Sequence, residues 1–351
     1  MRLRVAILLA LAAAALAAGA ALRGRLRRSS ERERLLGELA WGVIVPQYRA
    51  LAERAGDLRR AASALARSPS EEARRAAREA WKAARLAWAA CGPHFIGPER
   101  DRFLAAKMDT PAAPPAALEE ARARACAVEA LGAPLKGFGA IEFFLFADAR
   151  LLEPGEGRRR EFVEALAADL ERTACAVRDF WEPSGGGFAD RFARPGRGDS
   201  PYATADAALD EIINALVQFL ERVKDERLGR PLGVLRTGTG EPRPELVRSR
   251  AGGHALAELR AEIEGVERLY EKLSPGVVRA APELDASVRL ALRKSRQDVA
   301  AIPEPLEEAV VRHPDAVLNA FNMLQVLRDR LAVHLVAAYR SSLRFGDFDG
   351  D

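Results

Sequence analysis

The chain has 351 residues, enough for two domains and a sizeable core. Hydrophobic residues make up 49% and charged residues 30%, a globular rather than a disordered balance. The formal charge is only +4 and no basic stripe alternates with aromatics, so nucleic acid is excluded as a partner.

Residues 1–28 stand apart. A basic start, "MRLR", precedes a run free of charge from 5 to 22, and "RGRLRR" follows. Small-residue sites such as Ala15-Leu16-Ala17 and Ala18-Gly19-Ala20 fit a secretory signal. The same run is just long enough to span the inner membrane as an uncleaved anchor. Arginines directly behind it tend to hold such a segment in place. Either way the chain is exported; cleavage and anchoring stay open.

Helical periodicity then runs almost throughout. Leu35, Leu36, Leu39, Val43, Tyr48, Leu51 and Leu58 return to one side between residues 33 and 67, and Pro46 should kink that segment. Ser70 caps a second helix, with Glu71 and Glu72 in its first turn and Gly92-Pro93 as its stop. A third helix is predicted over 115–131, ended by Gly132 and Pro134, and a fourth over 161–181. Residues 182–202 are rich in Gly and Pro and have no period, which reads as a linker or a functional loop.

The second half repeats the pattern. Leu209, Ile212, Ile213, Leu216, Leu220 and Val223 make a clear stripe. Further helices are predicted at 254–272, 283–300 and 315–343. Strong helix formers dominate and period-two β-branched runs are absent, so the fold class is all-α. The expected architecture is two packed four-helix-bundle-like domains, 29–200 and 201–351. Cys91, Cys126 and Cys175 form no CxxC pair and read as buried small apolar residues.

One stretch carries the functional question. "LKGFGAIEFFLF", residues 135–146, sets Glu142 among Ile141, Phe143, Phe144, Leu145 and Phe146, with Gly137 and Gly139 just before it. A buried glutamate needs a partner or a route to solvent. Arg85, on the helix from Trp81 to Trp88, is the candidate partner. Trp81 and Trp88 lie seven apart, share a face and read as core packing beside that pocket. Gly137 suits helix entry or close backbone packing.

"WKAARLAW" at 81–88, Gly97-Pro98, "GFGAIEFFLF", "LGRPLG" at 228–233, "GVERLY" at 265–270 and a terminal "FGDFDGD" occur in that order. The series resembles the imelysin family over essentially the whole chain after the signal. The resemblance implies two helical bundles, a periplasmic or envelope location, and an association with iron acquisition, as in the related domain of the iron-transport protein EfeO. It implies an envelope partner or iron-uptake component. The family also carries a metallopeptidase label.

Its signature is Gly-x-His-x-x-Glu, whose His and Glu are the presumed metal ligands. Gly137 and Glu142 match. Gly139 stands where the histidine belongs. Residues i and i+3 share a helix face, so His and Glu could hold one ion together, and imidazole suits iron or zinc. Glycine supplies no ligand, and Glu142 alone is one donor where three or more are needed.

Among four histidines, His94 in the loop "GPHFIGPER" is the best candidate replacement, although a lone loop histidine is more often a surface residue. His254 falls in a helix first turn, His313 precedes Pro314 at a helix break, and His334 lies in an apolar stripe. No HExxH occurs, so zincin-type hydrolysis has no support. Asp347, Asp349 and Asp351 resemble the start of a calcium loop that lacks its remaining ligands. The expectation is a noncatalytic envelope protein, linked to metal uptake through a diverged pocket between the bundles. The alternative is a partner-binding or structural scaffold that lost the metal site.

Overall fold

The computed structural model describes residues 27–97, 104–124, 127–238 and 240–341, with Gly19 and Arg23. The apolar run at 5–22 as a whole, Pro98, Cys126 and the aspartates of the C-terminal tail lie outside them. The described residues contain helices and turns and no strand. None of these helices is long and apolar enough to cross a membrane.

Residues 27–67 are helical throughout, and Pro46 does not break them. A π-helical turn over Ala40–Ile44 precedes α1 (Val45–Arg67), placing the proline in the first turn of the α-helical part. The wider turn accommodates a ring that would otherwise press on the carbonyl four residues back. Helix α2 (Glu71–Cys91) begins as the sequence predicts, with Ser70 Oγ accepting from the Ala73 amide at 3.1 Å.

Short elements follow: α3 (Leu104–Asp109), α4 (Pro115–Ala123) and α5 (Gly137–Glu142), the last running into a π-helical turn at Phe143–Ala147. The helix expected over 115–131 stops at Ala123. Leu118 and Ala121 are its buried residues, and a 3₁₀ turn at Val128–Ala130 takes over.

Helix α6 (Gly157–Trp181) packs with α2 against α1. The Gly- and Pro-rich segment behind it is not a free linker. It contains α7 (Phe188–Ala193), whose Phe188 and Phe192 meet Trp181 with ring centroids 4.9 and 5.8 Å away. Two aromatics four apart on one helix face close that end of the core, which outweighs the local preference for loop.

In the second half α8 (Ala205–Val223) runs into a π-helical segment at Lys224–Gly229. Then come α9 (Ala255–Ala280), α10 (Pro282–Ala300), α11 (Leu306–Arg312) and α12 (Pro314–Tyr339). Helices α9, α10 and α12 pack on one another, and α8 lies on α12. Helix α2 packs along α9 and so joins the two groups. The seam between α2 and α9 is where the glutamate of the opening motif arrives.

Candidate functional site

Two glycines set the motif in place for different reasons. Gly137 has φ +71°, and a Cβ there would lie 2.4 Å from the carbonyl oxygen of Met108. Only glycine lets α5 start so close to the end of α3. Gly139 has ordinary helical geometry, but a Cβ there would meet Ala112 Cβ and N at 3.1 Å. The chain behind α3 therefore presses against the space into which a side chain at 139 would grow.

Glu142 finds its partners in the backbone. Its Oε1 accepts from the amide of Gly252 at 3.0 Å, with a second contribution from the Ala251 amide. Burial pushes its carboxyl above the usual range; the Gly252 hydrogen bond opposes this and the charge of Glu258 adds to it.

The expected Arg85–Glu142 ion pair is replaced by another arrangement. Arg85 is 2% exposed and pairs with Asp109 at 2.5 Å and Glu258 at 2.9 Å. It acts on Glu142 only through its field. The helix face that carries Arg85 looks along α9 and the end of α3, where those two carboxylates lie.

Arg85 belongs to a larger buried network. Arg227, from the π-helical segment, reaches Glu262 at 2.5 Å and Glu258 at 3.4 Å. Arg248 holds Asp109 at 2.6 Å and Glu226 at 3.4 Å. The Trp88 indole donates to Asp109 Oδ2 at 3.0 Å, and the Trp81 indole to the Phe138 carbonyl at 3.0 Å. Arg85 also stacks over Phe138, 5.1 Å from the ring centroid. Three arginines thus face three acids, the half-buried Asp109 and the buried Glu258 and Glu262.

The electrostatics follow from that balance. Burial opposes the charge on Asp109, but Arg85, Arg248 and Arg227 together outweigh it and hold the carboxyl below its usual range. Burial disfavours the Arg85 guanidinium, and Asp109 and Glu258 more than restore it. For Glu262 burial dominates over Arg227, so its carboxyl is raised. A π-helical turn follows Glu142 and another carries Arg227, and such turns recur at functional sites.

The histidines divide differently from expectation. His94 is fully buried, neither on the surface nor placed against Glu142. Its Nε2 lies 2.6 Å from the Gln47 side-chain amide, and its ring sits edge-on to Tyr48 at 5.2 Å. Burial lowers its pKa to about 3, so it is neutral. His254 stands at the N-cap of α9, 6.3 Å from the Trp81 ring. Its Nε2 is buried without a hydrogen-bond partner among the described residues.

Sequence reasoning did not single out Asp109, Arg227, Arg248, Gly252, Glu258 or Glu262. Glu258 and Glu262 did leave a trace. They stand four apart on α9 among buried Leu259 and Ile263, a charge pair on a face that should be apolar.

The presumed metal ligands can be tested against this geometry. Position 139 offers no donor, Glu142 is bound to backbone amides, and Asp109, Glu258 and Glu262 are each engaged by arginine. No group of three His, Cys, Asp or Glu among the described residues could hold an ion. The donor set does not fit a resident metal at the motif. What the arrangement can do is neutralise buried charge across a helix–helix seam and fix its register.

The profile of the family described as Imelysin matches residues 44–332. Iron-regulated protein A of Synechococcus elongatus is 31% identical over 210 residues, 56% of this chain. The chain covers 56% of that curated relative's length. A crystal structure of an iron-regulated protein A precursor from Parabacteroides distasonis superposes with a TM-score of 0.78 at 16% identity, covering 88% of this chain and 95% of that one. An imelysin-like protein from Psychrobacter arcticum gives 0.72 at 14%, covering 90% of this chain and 98% of its own. The fold is thus shared where sequence has drifted far, and with the family profile spanning both groups of helices the chain belongs to the imelysin family.

Proposed function

We propose that the chain is a noncatalytic protein of the bacterial envelope, exported to the periplasm and tied to the acquisition of iron or another metal. The iron link is supported by its relative, Iron-regulated protein A. Export is supported by the uncharged run at 5–22 between basic flanks.

One observation carries the noncatalytic reading. Gly139 replaces the ligand histidine, and the surrounding carboxylates already serve arginines or backbone amides. The arginine–carboxylate network beside the diverged motif then acts as a charged joint between the bundle of residues 29–200 and that of residues 201–351. Its role in metal uptake falls to recognition of another envelope component rather than to a resident ion.

The test is a titration of the purified protein with ferrous, ferric and zinc ions beside Glu142→Ala. Only weak binding, the same in both proteins, is expected. Near-stoichiometric uptake lost in Glu142→Ala would overturn the reading. Protein abundance in iron-replete and iron-starved cells checks the iron link, and equal levels would remove it.

A further inference from the structure

Far from the motif, a cleft of about 450 Å³ opens between the helical stretch described from residue 27, the end of α9 and the end of α12. Its walls carry Arg28, Arg32, Arg34, Lys272 and Arg279 against two carboxylates, Glu31 and Glu38. Glu31 is already claimed twice, by Arg27 at 3.1 Å and Arg279 at 3.0 Å. Arg32 pairs with Asp206 and donates to the Tyr339 carbonyl at 2.8 Å. Arg28, Arg34 and Lys272 have no ion-pair partner among the described residues. An excess of positive charge is thus gathered around one concave surface.

The floor of the cleft is built, not loose. The Tyr339 hydroxyl donates to the Leu273 carbonyl at 2.6 Å. A Cβ on Gly276 would lie 2.3 Å from that hydroxyl, so the close fit of α12 on α9 depends on a glycine there. Unpaired guanidinium and ammonium groups over such a floor suit an oxyanion with several acceptors, above all a phosphate.

The position in the chain identifies the source. The uncharged run ends at residue 22, six residues before Arg28. Six residues reach at most about 20 Å. If the run is held in a bilayer, Arg28 lies within about 20 Å of its edge, near enough for the basic residues of the cleft to meet anionic headgroups.

We propose that this cleft binds the phosphodiester headgroup of an anionic phospholipid and so orients the protein on its membrane. The proposal rests on the export reading above, in its anchored form. Each basic residue near an anionic surface strengthens binding about fivefold, so three unpaired ones contribute roughly a hundredfold.

The full chain in a non-ionic detergent is titrated with short-chain phosphatidylglycerol, short-chain phosphatidylcholine and glycerol 1-phosphate. One phosphatidylglycerol per chain should bind at least tenfold more tightly than either of the others. Arg28→Glu/Arg34→Glu/Lys272→Glu, with circular dichroism showing an unchanged fold, should lose that binding about a hundredfold. Equal affinity for phosphatidylcholine, or an unaffected triple variant, overturns the proposal. Equal affinity for glycerol 1-phosphate also overturns it, because the cleft would then take free phosphoanions. Alkaline extraction of membranes tests anchoring separately, since release of the chain would refute the anchor and leave the lipid titration to stand or fall by itself.

Discussion

Arg85→Met is the sharpest perturbation of the seam, because it removes the guanidinium and keeps most of the stem. Asp109 would retain Arg248 at 2.6 Å and the Trp88 indole at 3.0 Å. Glu258, fully buried, would retain only Arg227 at 3.4 Å. Breaking a buried pair by truncating one partner costs about 3–5 kcal/mol, most of it for the charge left behind. The remaining cations place the loss at the lower end, about 3 kcal/mol. At about 2 °C per kcal/mol for a chain of this size, Tm falls by about 6 °C.

Glu258→Gln removes the other end of the pair and destabilises as well. In the double variant neither charge is stranded, so its cost should fall below the sum of the single costs by about 1–3 kcal/mol. Urea unfolding of all four proteins, followed by circular dichroism, supplies the cycle. A cost under 1 kcal/mol for Arg85→Met, or strict additivity, would refute the view of the seam as a mutually compensated charge network.

Gly137→Ala should lose at least about 2 kcal/mol, since it adds a Cβ to a left-handed residue and against Met108. Gly155→Ala, at φ +85° in open space, is its control and should lose only about 1 kcal/mol; equal losses would remove the argument from close packing. Glu142 has a folded pKa raised from 4.5, so the folded chain holds a proton that the unfolded chain releases just above that pH. Stability supplied by Glu142 is therefore present below pH 4.5 and declines as pH rises through the folded pKa. Glu142→Gln should gain on the parent protein between pH 4 and pH 8 in urea midpoints, and a constant difference would contradict the sign. Burial sets His94 at about 3 against 6.5 when unfolded, so its contribution is lost as pH falls from 6.5, at up to about 1.4 kcal/mol per pH unit. His94→Gln should flatten the pH dependence of stability between 6.5 and 5, and an unchanged slope would count against the buried neutral ring.

Much of the helical framework was legible from periodicity and caps. Ser70 marked the start of α2, and the stripe from Leu209 to Val223 marked α8. The misreadings arose where tertiary packing outweighed local signals. Phe188 and Phe192 built a helix in a Gly- and Pro-rich stretch because Trp181 offers them a surface. Pro46 was absorbed by a π-helical turn that no composition rule announces.

At the site, the sequence by itself determined that the motif histidine is missing and that Glu142 sits among aromatics, and it left Gly137 between helix entry and close backbone packing. Periodicity reports which face of a helix is buried and says nothing of what covers it. Arg85 could be seen to need a counter-charge, but Coulomb partners are decided by distance in space, and Asp109 and Glu258 are brought to it from other elements. The same holds for Glu142, whose partners are backbone amides at Ala251 and Gly252 with no side-chain signature. Only the packing of α2 along α9 decided that this family motif meets arginine-bound acids and a glycine turn.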